Sequence, residues 1–309
     1  MTDAKALTKA GDFHPEVLKL FDRYVHGLLP RRGFLQGASV YAALSGATAV
    51  ELLDALNPRF AAAQKVAPTD ARIKTETVEI DSASGNGKVR GLLARPANAT
   101  GPLPVILVIH ENRGLNPHIE DIARRLAVDN FIAFAPDALF PLGGYPGDED
   151  RAREMFPKLD QTKTRADFIA AANYLLALPG GNGRLGAVGF CYGGGVVNWL
   201  AEQTLTGPDG KPAHLAAGVP FYGAAPPLDK VADIKGQLLL NFAGKDERIN
   251  AGWPAYEAAL KAAGVRYEAF IYEGVEHGFN NDTTPRFDPA AAKLAWERTI
   301  ALFNRALRA

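Results

Sequence analysis

The chain has one cysteine, and it stands at the centre of Gly189-Phe190-Cys191-Tyr192-Gly193-Gly194. An apolar run over 185–190 leads into it, and a helical pattern over 194–203 follows. A nucleophile held on a sharp strand-to-helix turn needs glycine two residues before and two after it, because side chains there would collide. Such a turn leaves the sulfur clear at a helix N-terminus, whose free N–H groups favour a thiolate and a developing oxyanion. The plainer reading of Cys191 is a buried filler beside helix-packing glycines, but its place between strand and helix points to a nucleophile. A thiol nucleophile needs a base, and the base needs an orienting acid. Of the six histidines, His277 follows a strand near the C-terminus, and Asp246 follows the strand before it. The chain order nucleophile, acid, histidine is the one that accompanies this kind of turn. Taken singly, His277 would be a turn residue in 274–278 and Asp246 a helix cap. Glu111 ends another apolar strand, where a carboxylate is costly unless it works or is paired. Arg113 and Arg124 are the partners that a purely structural salt bridge would use. The backbone N–H of Asn112 is expected to join that of Tyr192 in holding a tetrahedral oxygen.

These residues need a scaffold that gathers strand ends. Alternation over 75–80 and 88–95, around Ser84-Gly85-Asn86-Gly87, predicts a hairpin. Continuous apolar runs at 105–110, 131–135, 185–190, 215–221 and 237–242 predict strands buried on both faces of a parallel sheet. Helical spacing at 119–128, 162–178, 254–263 and 290–306 falls between or after them, and 266–272 predicts one more strand. Strands alternating with helices imply an α/β fold with right-handed crossovers. Chemistry in such a sheet sits beyond the carboxyl ends of the strands. That rule selects the four segments 110–113, 191–192, 244–246 and 276–277.

From about residue 70 onward the chain resembles the dienelactone hydrolase family (carboxymethylenebutenolidase-like). The segments that carry the resemblance are VIHENRGLNPHIEDIARRLA, FIAFAPD, GAVGFCYGGG, AGKDERI and GVEHGFNND. It implies an α/β-hydrolase fold, a mostly parallel central sheet flanked by helices on both faces. It implies a hydrolase of carboxylic esters or lactones in which Cys191 is nucleophile, His277 base and Asp246 orienter. Glu111 would hold the resting thiol and receive its proton, and a thioester would form before water attacks. Arg113, Tyr145 and Phe279 are the expected substrate-binding residues. The family's arginine four residues after the catalytic histidine is Asn281 here, so the substrate need not be a dienelactone. Arg113, Arg153 and Arg286 are the cations that would replace it. Two other readings stay open: an acyltransferase on the same triad, and a noncatalytic binding protein of this fold.

Composition narrows the partners. Lys+Arg and Asp+Glu are both 34, so no net field recruits nucleic acid or an anionic membrane. Nothing calls for a cofactor or a metal, and a homo-oligomer is compatible with the sequence. Gly181-Asn182-Gly183-Arg184-Leu185-Gly186 spells a dinucleotide fingerprint, but it precedes a strand and is expected to be a turn. Asp148-Glu149-Asp150 reads as a solvated acidic turn and not a calcium loop. Residues 1–67 differ from the domain over 68–309. They hold a helical stretch at 14–29, then Arg31-Arg32, a small-residue run to Val50, and Ala61-Ala62-Ala63-Gln64. This is either a twin-arginine export signal, which would make the mature protein periplasmic, or a helical arm retained on a cytoplasmic protein. Glu51 and Asp54, which interrupt the apolar run, favour the retained arm, and stable membrane insertion is not expected, since that run is short and rich in Gly, Ala and Ser.

Overall fold

The computed structural model describes residues 7–308; the first six residues of the expected arm lie outside them. The arm folds into α1 (Pro15–Val25), α2 (Arg31–Ser45), α3 (Ala49–Leu56) and the short α4 (Phe60–Ala63). Helix α1 starts where His14 caps it and Pro15 takes its first position. Its apolar residues Val17, Leu18, Phe21 and Tyr24 share one face. They bury against Phe34 and Ala38 of α2 and Leu52, Leu53 and Leu56 of α3, a core of the arm's own. The small-residue run breaks at Thr48, whose side chain caps α3 in a reciprocal exchange with Glu51. Among the described residues no helix is long and apolar enough to cross a membrane.

The main sheet has eight strands. Chain order gives β1 (Ile73–Ser82), β2 (Gly87–Pro96), β3 (Leu103–Ile109), β4 (Ile132–Pro136) and β5 (Gly181–Phe190). A two-residue ribbon, β6 (Leu205–Thr206) with β7 (Pro212–Ala213), stands apart. Then come β8 (Ala217–Phe221), β9 (Gln237–Ala243) and β10 (Arg266–Tyr272). The order across the sheet is β1-β2-β4-β3-β5-β8-β9-β10. Strand β2 is antiparallel to both its neighbours, and the remaining pairs are parallel. The connecting helices are α5 (Pro117–Val128), α6 (Glu149–Met155), α7 (Gln161–Leu176), α8 (Tyr192–Ala201), α9 (Glu247–Asn250), α10 (Trp253–Ala262) and α11 (Pro289–Leu307).

The apolar runs feed two cores. In β3, Val105, Leu107 and Ile109 face the layer of α7, α8 and α10, while Ile106 and Val108 face α5 and α11. A strand buried on both faces must be apolar throughout, which explains the unbroken run. This is the α/β-hydrolase architecture, with helices on both faces. One segment departs from expectation. The 181–186 stretch is the first half of β5 and not a turn ahead of it. Gly181 pairs with Leu103, the chain bulges with Gly183 at φ +75°, and pairing resumes at Leu185 opposite Val105. An added Cβ would be strained at that φ, so the glycine that mimics a nucleotide fingerprint serves the bulge.

Candidate active site

Cys191 joins β5 to α8 with φ +54° and ψ −110°, a conformation L-residues rarely adopt. The flanking glycines allow it. A Cβ on Gly189 would overlap the Gly193 carbonyl oxygen, and one on Gly193 would overlap the Ile109 carbonyl oxygen. The elbow therefore presses directly on β3, the strand that delivers Glu111 and Asn112. Among the described residues neither the Asn112 nor the Tyr192 amide N–H is spent on another group of the chain. Both remain available to an oxyanion.

His277 and Asp246 meet as their strand-end positions imply. Nδ1 of His277 lies 2.5 Å from Oδ2 of Asp246, and both side chains are buried. Asp246 also caps α9 by accepting the Ile249 N–H at 3.3 Å, which fixes its carboxylate. The Tyr222 ring, 4.8 Å from the imidazole between centroids, backs it from below. Nε2 of His277 makes no hydrogen bond, and a ring nitrogen of His277 lies within 4.8 Å of the Cys191 sulfur. Burial works against a thiolate, but the His277 and His26 imidazoles outweigh it and bring Cys191 down to about 5. Burial likewise resists charging His277, while the sulfur and the Asp246 carboxylate raise it to about 10.

His26 is a neighbour of Cys191 that the sequence did not suggest. It closes α1, and its Nε2 stands 3.3 Å from the Cys191 sulfur. Its Nδ1 faces Asp22, 2.6 Å from the carbonyl and 3.2 Å from the carboxylate. The arm is gripped around this point. The Val25 carbonyl accepts from Asn112 Nδ2 at 2.8 Å and from an Arg113 N–H at 3.2 Å. Arg153 lies over the Tyr24 ring at 4.2 Å, Arg286 over Phe21 at 5.2 Å, and Arg31 pairs with Asp150 at 2.6 Å. An Asp22–His26 pair four residues apart is a common helix-surface motif, so no local signal could have separated it from a solvated one.

Other expected residues fall differently. Glu111 lines the same cavity, but its carboxylate accepts the Asn281 side-chain N–H at 3.0 Å, while the sulfur's hydrogen bond goes to His26. Among the described residues no hydrogen bond joins the thiol to Glu111. Arg113 lines the cavity with its N–H groups given to Val25, Asn112 and, at 3.7 Å, Glu149. Tyr145 reaches the site only through Glu149, to which its hydroxyl donates at 2.9 Å. Phe279 does not face substrate space. It is fully buried, packed on Tyr222 and Tyr272, and supports the floor beneath His277. The acidic run at 148–150 is likewise committed, to capping α6, to Tyr145 and to Arg31.

The arm divides the cleft over Cys191. On one side Phe21, Tyr24 and Val25 nearly fill a polar recess with Glu111, Arg113 and Arg286, leaving about 40 Å³. On the other a chamber of about 400 Å³ opens between Cys191 and a mainly apolar wall of Phe156, Tyr192, Val196, Trp199, Ala224 and Pro226. Among the described residues, His26, Cys191 and His277 are one trio whose donor atoms converge, within 4.8 Å of one another. The Arg248 guanidinium, 3.0 Å from His26 Nε2, brings a positive charge to this trio and opposes a metal cation there.

Residues 89–307 match the model of the dienelactone hydrolase family, and residues 5–43 match a second one described as YqhI-like. Over 247 residues the chain is 31% identical to a Synechocystis sp. protein described as "Putative carboxymethylenebutenolidase", covering 76% of this chain and 98% of that one. Over 115 residues it is 49% identical to "Putative hydrolase fragment YghX" of Escherichia coli (strain K12), covering 37% of this chain and 98% of that one. A solved structure of a "Putative Dienelactone Hydrolase" from Klebsiella pneumoniae superposes with a TM-score of 0.63 at 28% identity, over 75% of this chain and 99% of that one.

Proposed function

This chain belongs to the dienelactone hydrolase family, and from that premise we propose that it cleaves carboxylic esters or lactones with Cys191 as nucleophile, His277 as acid and base, and Asp246 as its orienter. The observation that carries this reading is the sulfur's position. It stands at the head of α8, beside an apolar chamber and within 4.8 Å of an imidazole backed by Asp246. The thiolate adds to the ester carbonyl, and the Asn112 and Tyr192 N–H groups take up the negative oxygen. His277 gives its Nε2 proton to the departing alkoxide as the C–O bond breaks and a thioester remains. Water then attacks the thioester, loses a proton to an imidazole, and the C–S bond breaks to restore the thiolate. The chamber's size and mainly apolar wall suit apolar acyl or alcohol groups, with Arg165 and Arg248 as the cations in its lining.

A screen of p-nitrophenyl esters and simple lactones tests this, each assayed before and after iodoacetamide treatment. Hydrolysis should be present and should vanish in proportion to labelling of Cys191. Full labelling with activity intact would remove the thiol from the mechanism. The pH dependence should be a plateau. Below about 5 the sulfur is protonated and the nucleophile is lost, and above about 10 His277 lacks the proton for the leaving group. A single rising limb near the ordinary thiol value of about 8.5 would instead indicate an unassisted cysteine.

Glu111 has a smaller part in this scheme. Its carboxylate braces Asn281, whose Oδ1 in turn holds the Thr283 N–H at 3.1 Å. Glutamine at position 111 keeps an acceptor for Asn281, so Glu111→Gln should lower kcat by less than about tenfold. A loss of about a hundredfold or more, the scale of a missing general base, would return Glu111 to proton transfer.

A further inference from the structure

Two aspartate–histidine pairs approach the same sulfur, one from the body and one from the arm. Building on the hydrolase reading above, we propose that His26 is a catalytic residue, the base for the water that cleaves the thioester, with Asp22 as its positioning residue. Division of labour follows from the two rings' surroundings. Nδ1 of His26 faces two oxygens of Asp22, so the ring proton sits there. Nε2 then presents its lone pair. Arg248 can only donate, so its contact at 3.0 Å is a hydrogen bond only while Nε2 is unprotonated, and the attacking water takes its place there. Once the sulfur is acylated and carries no charge, nothing there holds a proton on Nε2, so His26 is a neutral base whose Nε2 stands 3.3 Å from the sulfur. His277, by contrast, enters the cycle holding the proton that the leaving group needs.

The groups facing His26 are Asp22 on α1, Arg248 on α9, Cys191 at the elbow and His277. Burial opposes charging its imidazole; the sulfur, while it is an anion, and Asp22 outweigh burial and raise its pKa, and of the two Asp22 keeps its charge when the sulfur is acylated. The ring's position is not incidental. Asn112 and Arg113, the loop residues beside the oxyanion site, clamp the carbonyl of Val25, the residue before it. In deacylation a water bound at Nε2 attacks the thioester carbon and gives its proton to His26. The tetrahedral intermediate then expels the thiolate, which accepts a hydrogen bond from the new Nε2–H. The carboxylic acid product ionises, and its proton returns His277 to the charged form while His26 loses its own to solvent.

The test uses the full chain, with an ester substrate from the screen and intact mass measured during turnover. In His26→Ala and His26→Gln, kcat should fall by about a hundredfold, the scale of a lost general base, while kcat/KM, which reports acylation, changes little. A thioester adduct on Cys191 should accumulate. Glutamine keeps an acceptor for Arg248 without a base, so it covers the case in which alanine loosens the arm. Asp22→Asn should show the same split with a smaller loss. Parent kcat in both His26 variants would overturn the proposal, and so would a rise in kcat, which would make the arm an inhibitory cover. Equal losses in kcat and kcat/KM without an adduct would overturn it in favour of a packing role. A mature chain beginning near Gln64 in the native cell would also overturn it, since His26 would be gone. Absence of turnover by the parent protein on every ester and lactone would sink the hydrolase reading itself, and this inference with it.

Discussion

A Cys191→Ala protein should fold as the parent does and lose at least about 10⁴-fold in kcat on its best ester, the scale seen when a nucleophile is removed from an intact acyl-transfer site. Folding is expected to survive because alanine meets the same strain at φ +54° that cysteine does and adds no atom to the crowded elbow. What disappears is the proposed nucleophile. The Asn112 and Tyr192 N–H groups remain and can still polarise a bound carbonyl, so a residual rate above that in water is expected. Cys191→Ser sharpens the measurement. The hydroxyl fits, but its far higher pKa means that the imidazoles which bring the thiol down to about 5 no longer face a resting anion. Serine should therefore stay close to alanine and far below the parent. A Cys191→Ala enzyme within tenfold of parent kcat would place the nucleophile elsewhere.

His277→Ala should cost about 10³- to 10⁴-fold in kcat, because the same imidazole lowers the thiol's pKa and supplies the leaving group's proton. Two readouts separate these duties. Iodoacetamide alkylation follows the thiolate alone. Its pH midpoint should rise above about 5 in the variant but stay below the ordinary thiol value, because His26 still stands 3.3 Å from the sulfur. The catalytic loss should also be smaller for p-nitrophenolate, which leaves without a proton, than for an alkyl alcohol, which needs one. Asp246→Asn preserves the cap on Ile249 but offers His277 the wrong hydrogen-bond partner, so it should slow turnover by about 10²- to 10⁴-fold with little change in stability. Equal losses on both leaving groups in His277→Ala would show that the histidine acts only on the sulfur.

Much of the scaffold was legible because its signals are local. A strand buried on both faces must be apolar residue after residue, so β3, β4, β5, β8 and β9 could be read from their runs. A nucleophile elbow must have small residues at fixed offsets, so Gly189 and Gly193 marked Cys191 before any contact was known. Chain order and strand-end placement paired Asp246 with His277 for the same reason: in a parallel sheet, successive strands deliver their carboxyl ends to one edge. The β5 bulge was harder to read, because Gly183 looks alike in a turn and in a bulge until Leu103 and Val105 fix the register.

The arm lay beyond local reading. Amphipathic spacing in α1 said that Val17, Leu18, Phe21 and Tyr24 would be buried, and it was silent on where the finished arm would dock. Docking is decided by pairs that sequence distance hides: Arg31 with Asp150, Val25 with Asn112, and His26 with Cys191, which lie 165 residues apart. The orientation of Glu111 was decided in the same way. Its place at a strand end is a property of the chain, but the choice between a thiol and an amide partner depended on His26 meeting the sulfur and on Asn281 arriving from a distant turn. By itself, then, the sequence determined the sheet, the elbow and the strand-end placement of Cys191, Asp246 and His277. Only the tertiary structure decided which faces of the arm and which side chains share the space above the sulfur. Periodicity and turn chemistry act over a few residues, whereas the contents of a cleft depend on how separately folded surfaces fit together.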